Sequence, residues 1–294
     1  GLFGAFDLND GEQRDSLVGA ILNEGAMMLG CGTKSIRFRP HLNITEQEMN
    51  DGFSMIDKAI SNIWFMPYGI LNVVSTPIGN LEDISTRAIA TLTNSDIIVA
   101  EDTRHTKKLL NHYNISAFII SYFEHNKHQQ IPKILNFLKE GKNVSLVSDA
   151  GTPGISDPAY RLVRQAINEN IKIQSVPGAS SVLAALIPSG LPTDRFIFEG
   201  FLPPKKGRKR ILDDLSKFDG TVIFFENPKR LHRTLNDILV SFGERPCVLA
   251  RELTKIHEEF LRDNISNMIS NIDNISLKGE MVVLIGKDDK NVYF

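Results

Sequence analysis

Three turns rich in glycine and proline, each following an apolar, β-branched run, constrain this chain more than any other feature. They are STPIGN at Ser75 to Asn80, SDAGTPGISDP at Ser148 to Pro158, and SVPGASS at Ser175 to Ser181. A strand that ends in glycine and feeds a helix leaves free backbone N–H groups and room for close approach. In open α/β sheets ligands settle beyond the carboxyl ends of the strands, so the turns predict a small-molecule site on a parallel sheet. None of them fits G-x-G-x-x-G or G-x-x-x-x-G-K-[ST], so neither a dinucleotide nor a P-loop nucleotide is the expected ligand.

The pattern between the turns is regular. GILNVVS, SDIIVAE, AFIISYF, NVSLVSD and IKIQSVP read as strands, and the spacing predicts helices over 81–92, 103–112, 129–140, 158–169 and 179–187. Alternation of this kind predicts right-handed βαβ crossovers and a largely parallel sheet. IPSGLPTDR supplies breakers; beyond it RFIFEGFL, TVIFFE, RPCVLAREL and GEMVVLIG read as strands, with helices near 209–217 and 228–240. The expected fold class is α/β: a parallel-sheet domain over 67–188 and a mixed-sheet domain over 189–294, preceded by a small α+β segment over 1–66.

The chain has 294 residues, long enough for about two domains with cores of their own. Cys31 and Cys247 stand far apart, without metal-ligand spacing, so no disulfide framework or structural zinc is expected and a reducing cytoplasm fits. No apolar run of membrane-spanning length and no secretion leader is read. Net charge is −2, but residues 1–66 hold 5 Lys/Arg against 9 Asp/Glu, leaving 28 against 26 in the remainder. KKGRKR, at Lys205, Lys206, Arg208, Lys209 and Arg210, concentrates five cations in six residues, either a solvated run or a phosphate-binding patch. His125 and His128 read as a solvated pair, and no metal is expected.

Residues 1–66 differ in character. EQRDSLVGAILNEGAMML reads as helix, GCGTKSIRFRPHLNIT as turn, strand and turn, and Thr45 with Glu48 opens a second helix as a capping box. Through GLFGAFDL and LGCGTKSIRFRPHLNIT the segment resembles the C-terminal end of class III aminotransferases of the lysine ε-aminotransferase kind. The resemblance implies that Arg37 would bind a substrate carboxylate in a complete enzyme. The cofactor lysine and large domain of such an enzyme are not in these residues, so no transamination is expected of them. Met66 reads as a natural start for the residues downstream of it.

The blocks VSTPIGNLEDISTRAIATL, AEDTRHTKKLL, LVSDAGTPGISDP, VPGASS, LPTDRFIFEGFLP, IFFENPKRL, LARELTK and KGEMVVLI occur in order from about Ile70 to Ile285. They resemble the tetrapyrrole methylase superfamily, and within it the ribosomal RNA small subunit methyltransferase I family. The resemblance implies a homodimeric, cytoplasmic enzyme that binds S-adenosylmethionine in a cleft between two α/β domains. It further implies 2′-O-methylation of a cytidine in the decoding region of 16S rRNA, with the 30S subunit as partner. Many members continue past KGEMVVLI with a small helical region, whereas this sequence runs only to Phe294. Substrate affinity is therefore expected to be reduced, or supplied by the dimer.

With that cofactor in view, the residues expected to grip it are Pro77 and Gly79, Ser148, Asp149, Gly151, Thr152 and Pro153, and Pro177, Gly178 and Ala179. A ribose hydroxyl needs a proton acceptor, and the densest polar group is Glu101, Asp102, Thr103, Arg104 and His105. Glu101 or Asp102 is expected to take the proton or orient the ribose, and Arg104 to hold a phosphate. Alternatively both carboxylates merely cap the next helix and pair with Arg104. Glu226, Lys229 and Arg230, and Arg251, Glu252 and Lys255, line the cleft or form an ion-pair network, with RNA contact expected of Lys229 and Lys255. An RNA acceptor favours phosphate contacts by the five KKGRKR cations and offers Tyr122, Phe123 and His125 as stacking surfaces. The alternatives are a corrin-type tetrapyrrole acceptor or a catalytically silent RNA-binding fusion.

Overall fold

The computed structural model describes residues 4–64 and 68–294, without the side chains of Asn62 and Trp64. Met66 and the first three residues of GLFGAFDL lie outside the described residues. The chain divides into two units, Gly1–Gly69 with Lys139–Gly141, and Ile70–Leu138 with Lys142–Phe294.

In the first unit, strands β1 (Gly4–Asp7), β2 (Leu29–Cys31) and β3 (Ser35–Phe38) form an antiparallel sheet in the order β1-β3-β2, accompanied by helices α1 (Gly11–Asn23) and α2 (Glu46–Trp64). Its small core holds Leu17, Ile21, Met28, Ile36 and Ala59. The capping box forms: Glu48 Oε2 accepts from Thr45 N at 2.8 Å, and Thr45 Oγ1 accepts from Glu48 N at 3.3 Å. Strands β1 and β2 were not read from the sequence: all four residues of β1 are exposed, and α1 ends at Asn23 rather than running on through Leu29, which with Gly30 and Cys31 forms β2.

The second unit begins with β4 (Leu71–Val74), α3 (Thr86–Thr93), β5 (Ile97–Ala100), α4 (Thr103–His112), β6 (Phe118–Ser121), α5 (Lys127–Lys139), β7 (Val144–Val147), α6 (Ala159–Asn168) and β8 (Ile173–Val176). These strands form a wholly parallel sheet in the order β6-β5-β7-β4-β8. The central strands β5 and β7 are buried throughout, because helices cover both faces. Ile97 and Val99 point to the core shared with α5 and α6, and Ile98 and Ala100 to the core shared with α3 and α4. The connections from β4 and β7 leave in opposite directions across the sheet, so the strand order reverses there and opens a crevice beyond their carboxyl ends.

Helix α7 (Ser181–Ser189), ending at Gly190 in the left-handed region, leads into β9 (Phe196–Phe201), α8 (Arg208–Leu215), β10 (Thr221–Glu226), α9 (Leu231–Phe242), β11 (Pro246–Arg251), β12 (Glu259–Asn264), α10 (Ile265–Ser270) and β13 (Met281–Ile285). The second sheet is mixed, in the order β12-β11-β13-β10-β9, with β9 and β10 parallel and the other pairs antiparallel. One face packs on α8, α9 and α10 through Phe224, Leu249 and Val283; the other packs on α7 through Ile223, Val248 and Leu284. By packing, α7 therefore goes with the second sheet, although its sequence continues the first. The α/β class, with one parallel and one mixed sheet, is the one expected. Strand β12 and helix α10 went unread, because EFLRDN is a charged edge strand and its helix has only six residues.

Candidate functional site

The three turns leave the neighbouring strands β7, β4 and β8, so the sheet order alone brings them together. Thr76 N donates to Gly151 O at 2.9 Å and Gly151 N to Thr76 O at 3.0 Å, an antiparallel bridge beyond the parallel ladder. Hydroxyls complete the lacing: Thr76 Oγ1 donates to Ser148 O at 3.2 Å, Ser75 Oγ lies 3.0 Å from Thr152 Oγ1, and Thr152 Oγ1 donates to Ala179 O at 3.2 Å. Gly151 has φ +82°, a conformation that disfavours a side chain. Gly79 allows close approach of the loop after β11: a Cβ there would stand 2.6 Å from Lys255 Cγ and 3.0 Å from Leu253 O. That loop holds Glu252 and Thr254 at φ +49° and +64°, backbone strain beside the crevice.

Two cavities open around the Thr76–Gly151 bridge. The larger, about 340 Å³, lies between the two sheets and is lined by Ile78, Ala150 and Ser181 on one side and by Phe225, Asn227, Pro228, Leu253 and Met281 on the other. Its walls are mainly apolar with a few polar groups, as ligand sites usually are. Glu226 also lines it, its carboxylate fully buried, accepting from Arg230 Nε at 2.8 Å, Asn227 N at 2.6 Å and Thr234 Oγ1 at 2.5 Å. The smaller cavity, about 220 Å³, has Thr76, Pro77, Ser148 and Asp149 on one wall and Leu81, His105, Lys108 and Leu109 on the other.

The expected cofactor residues thus fall on one laced set of turns. Pro77, Ser148 and Asp149 line the smaller cavity, while Gly151, Thr152 and Ala179 carry the lacing. Pro153 is buried, and Pro177 and Gly178 are exposed, with Pro177 O accepting from Ser85 Oγ at 3.4 Å. Ile78, Phe225, Leu253 and Met281 were not singled out from the sequence, although TPIGN, IFFEN, LARELTK and KGEMVVLI contain them. An apolar wall residue has no local signature that separates it from core.

The acidic group divides. Asp102 caps α4, accepting from Arg104 N at 2.8 Å, and its carboxylate pairs with the Arg104 guanidinium at 2.7 Å. Those bonds hold it well below the usual carboxylate range, which makes it a weak base and matches the capping alternative. Asp149 Oδ1 accepts from Asp102 N at 2.9 Å. Partial burial, then the charges of Asp149 and Asp157, push the Glu101 carboxyl up. Burial also raises Asp157, although its carboxylate accepts from Gly154 N at 2.8 Å and Ala159 N at 3.0 Å.

A raised carboxyl adds stability that is complete below its unfolded pKa and is lost as pH rises through the folded value. Glu101→Gln is therefore expected to melt above the parent at pH 7 and level with it below about pH 4, the ordinary glutamate range. Thermal unfolding at the two pH values checks this, and an equal difference at both would contradict it.

Two expectations are corrected. Arg208 does not belong to an exposed cation patch: only 5% exposed, it reaches Asp237 Oδ2 at 2.7 Å, Thr234 Oγ1 at 2.7 Å and Pro203 O at 3.2 Å. Lys205, Lys206, Lys209 and Arg210 remain exposed, Arg210 within 3.8 Å of Asp214. Tyr122 offers no stacking surface; it is 2% exposed and its hydroxyl donates to Pro158 O at 3.0 Å. Lys255, expected on RNA, has its ammonium between Glu252 at 3.0 Å and Glu280 at 3.1 Å, whereas Lys229 is exposed. His125 and His128 are both exposed, and no cluster able to hold a metal occurs among the described residues.

The sequence profile of the tetrapyrrole (corrin/porphyrin) methylases matches residues 71–269, which span both sheets. The chain belongs to this methylase family. Curated relatives include the ribosomal RNA small subunit methyltransferase I of Thermotoga maritima, 50% identical over 221 residues, covering 75% of this chain and 100% of the relative. The same enzyme of Halalkalibacterium halodurans is 47% identical, covering 76% of this chain and 78% of its own. Among solved structures, a cobalt precorrin-4 methyltransferase superposes with TM-score 0.56 at 18% identity, covering 74% of this chain and 94% of its own. A diphthine synthase gives TM-score 0.57 at 14% identity, covering 74% and 90%. A Thermus thermophilus uroporphyrin-III C-methyltransferase complexed with S-adenosyl homocysteine gives 0.53 at 16%, covering 74% and 97%. At these identities the structures establish the methylase fold. Their differing names illustrate that the fold does not choose a substrate.

Proposed function

We propose that this chain transfers the methyl group of S-adenosylmethionine to ribosomal RNA of the small subunit, at a cytidine 2′-hydroxyl. The reading rests on one observation above all: the turns after β4, β7 and β8 are laced into a single surface facing a cavity of about 340 Å³ between the sheets. The named function of relatives at 47% and 50% identity supports the acceptor. In this reading the aromatic and apolar wall at Phe225 and Met281 receives the adenosyl half, and the backbone groups of 149–153 and 177–179 receive the polar methionine half. The cofactor supplies an electrophilic methyl on sulfonium. In the transfer the oxygen–carbon bond forms as the carbon–sulfur bond breaks, the electron pair remaining on sulfur and the hydroxyl proton passing to a base. Glu101, whose carboxyl is pushed up by partial burial and the charges of Asp149 and Asp157, suits that base better than Asp102, and alignment supplies the larger share of the rate. A cytoplasmic homodimer acting on the 30S subunit completes the proposal.

The test is transfer of labelled methyl from S-adenosylmethionine to unmodified 30S subunits, followed by digestion to nucleosides. Label is expected in 2′-O-methylcytidine, with affinity for subunits falling steeply as salt rises, because phosphate neutralisation releases counterions. Bound S-adenosylmethionine with no label in rRNA would remove the RNA acceptor from the reading.

A further inference from the structure

The smaller cavity holds a pairing that the cofactor reading leaves unused. One wall consists of the proposed cofactor turns at Pro77, Ser148 and Asp149, and the other belongs to α4, through His105 and Lys108. Helix α4, TRHTKKLLNH, contains no acidic residue; it buries Thr106, Leu109 and Leu110 and leaves Arg104, His105, Lys107 and Lys108 exposed. Arg104 is engaged by Asp102, but among the described residues neither Lys107 nor Lys108 forms an ion pair. Two other cations around the crevice are neutralised from within, Lys255 by Glu252 and Glu280 and Arg230 by Glu226, whereas Lys229, beside the larger cavity, is exposed. Lys108 therefore presents an ammonium without an ion-pair partner at the wall of a mainly apolar cavity that adjoins the turns and that Asp149 also lines.

Size selects among anions. At about 220 Å³ the cavity is smaller than the roughly 300 Å³ at which pockets begin to enclose drug-sized ligands, so it encloses a fragment such as a ribose with its phosphate and not a flat macrocycle. A phosphodiester brings the negative charge that Lys108 lacks, and its ribose brings hydroxyls matched to Ser148, Asp149 and the imidazole of His105.

We infer that this cavity is the acceptor subsite: it takes the ribose of the nucleotide to be methylated, while Lys108 and His105 hold the adjoining phosphodiester. The inference rests on the RNA reading above and adds to it where the RNA strand enters. Both side chains bind and position substrate, and neither takes part in bond making.

The experiment uses the full chain with Lys108→Ala, Lys108→Arg and His105→Ala, measuring S-adenosylmethionine affinity by calorimetry and the KM for 30S subunits across a salt series. Lys108→Ala is expected to bind S-adenosylmethionine within about twofold of the parent while its KM for subunits rises roughly tenfold, the order expected for one charged hydrogen bond. The slope of log KM against log salt should fall by about one, since one phosphate contact is gone. Lys108→Arg should recover most of the KM, and His105→Ala should raise it less steeply, with little change in the salt slope. A parent that methylates subunits while Lys108→Ala keeps the parental KM and salt slope would overturn the subsite. A parent that binds S-adenosylmethionine yet never labels rRNA would overturn the underlying reading, and the subsite with it. Lost S-adenosylmethionine affinity in Lys108→Ala would instead assign the cavity to the cofactor and overturn the inference.

Discussion

Alanine at Arg208 is expected to lower the unfolding free energy by about 3 kcal/mol, the lower end of the range for removing one member of a buried ion pair. The Arg208 side chain is 6% exposed and its guanidinium joins Asp237, Thr234 and Pro203 O; Thr234 in turn donates to the buried carboxylate of Glu226 on the cavity wall. Without Arg208, Thr234 Oγ1 loses a donor and the Pro203 carbonyl a partner, while Asp237, 35% exposed at its side chain, keeps Arg233 at 3.7 Å and is partly rescued by water. Urea unfolding with an unchanged denaturant slope is the measurement. Lys205→Ala and Lys206→Ala, in the same basic run, should stay within about 0.5 kcal/mol of the parent. An Arg208→Ala variant as stable as those two would show the guanidinium to be a solvated surface group.

The second large effect is expected at Asp149. Its carboxylate accepts from the amide of Asp102 at 2.9 Å, tying the turn after β7 to the start of α4, and it lines the cavity facing Lys108. Alanine there frees both turns and leaves that amide without its partner. Since small misplacements of reacting groups cost about 100-fold, Asp149→Ala is expected to lower kcat/KM for methyl transfer by at least that factor. Steady-state transfer to 30S subunits measures it, beside a melting curve to confirm folding. Asparagine keeps an acceptor oxygen at the same place, so Asp149→Asn should retain more activity than alanine. Equal, parental rates in both variants would remove Asp149 from the site.

Much of this architecture was legible locally. Apolar four-residue runs such as IIVA, and VSLV with a single buried serine, alternating with amphipathic helices, announce a parallel sheet covered on both faces, and they form β5 and β7 as read. Thr45 with Glu48 gave a capping box with the expected bonds. Local signals failed where neighbours decide. EFLRDN is strand because β11 offers it a ladder, not because its own pattern is apolar. Arg208 and Lys209 are adjacent cations in one basic run, yet the first turns inward to Asp237 and Thr234 while the second meets solvent. The helix period separates their faces, and only the packing of α8 against α9 says which face is buried.

What the sequence by itself determined is the alternation of strands and helices through the parallel sheet, the methylase family, and the identity of the three turns, because hydrophobic period and glycine–proline punctuation act over a few residues. Tertiary structure alone decided that those turns share one edge, that Thr76 and Gly151 bridge them, and that two cavities flank the bridge. It also decided how the charges are partnered: Asp102 is committed to its cap and to Arg104, partial burial and the charges of Asp149 and Asp157 push the Glu101 carboxyl up, and Lys108 stands without an ion pair among the described residues. Strand order, burial and the distance between charges depend on residues far apart in the chain, and no local pattern encodes them.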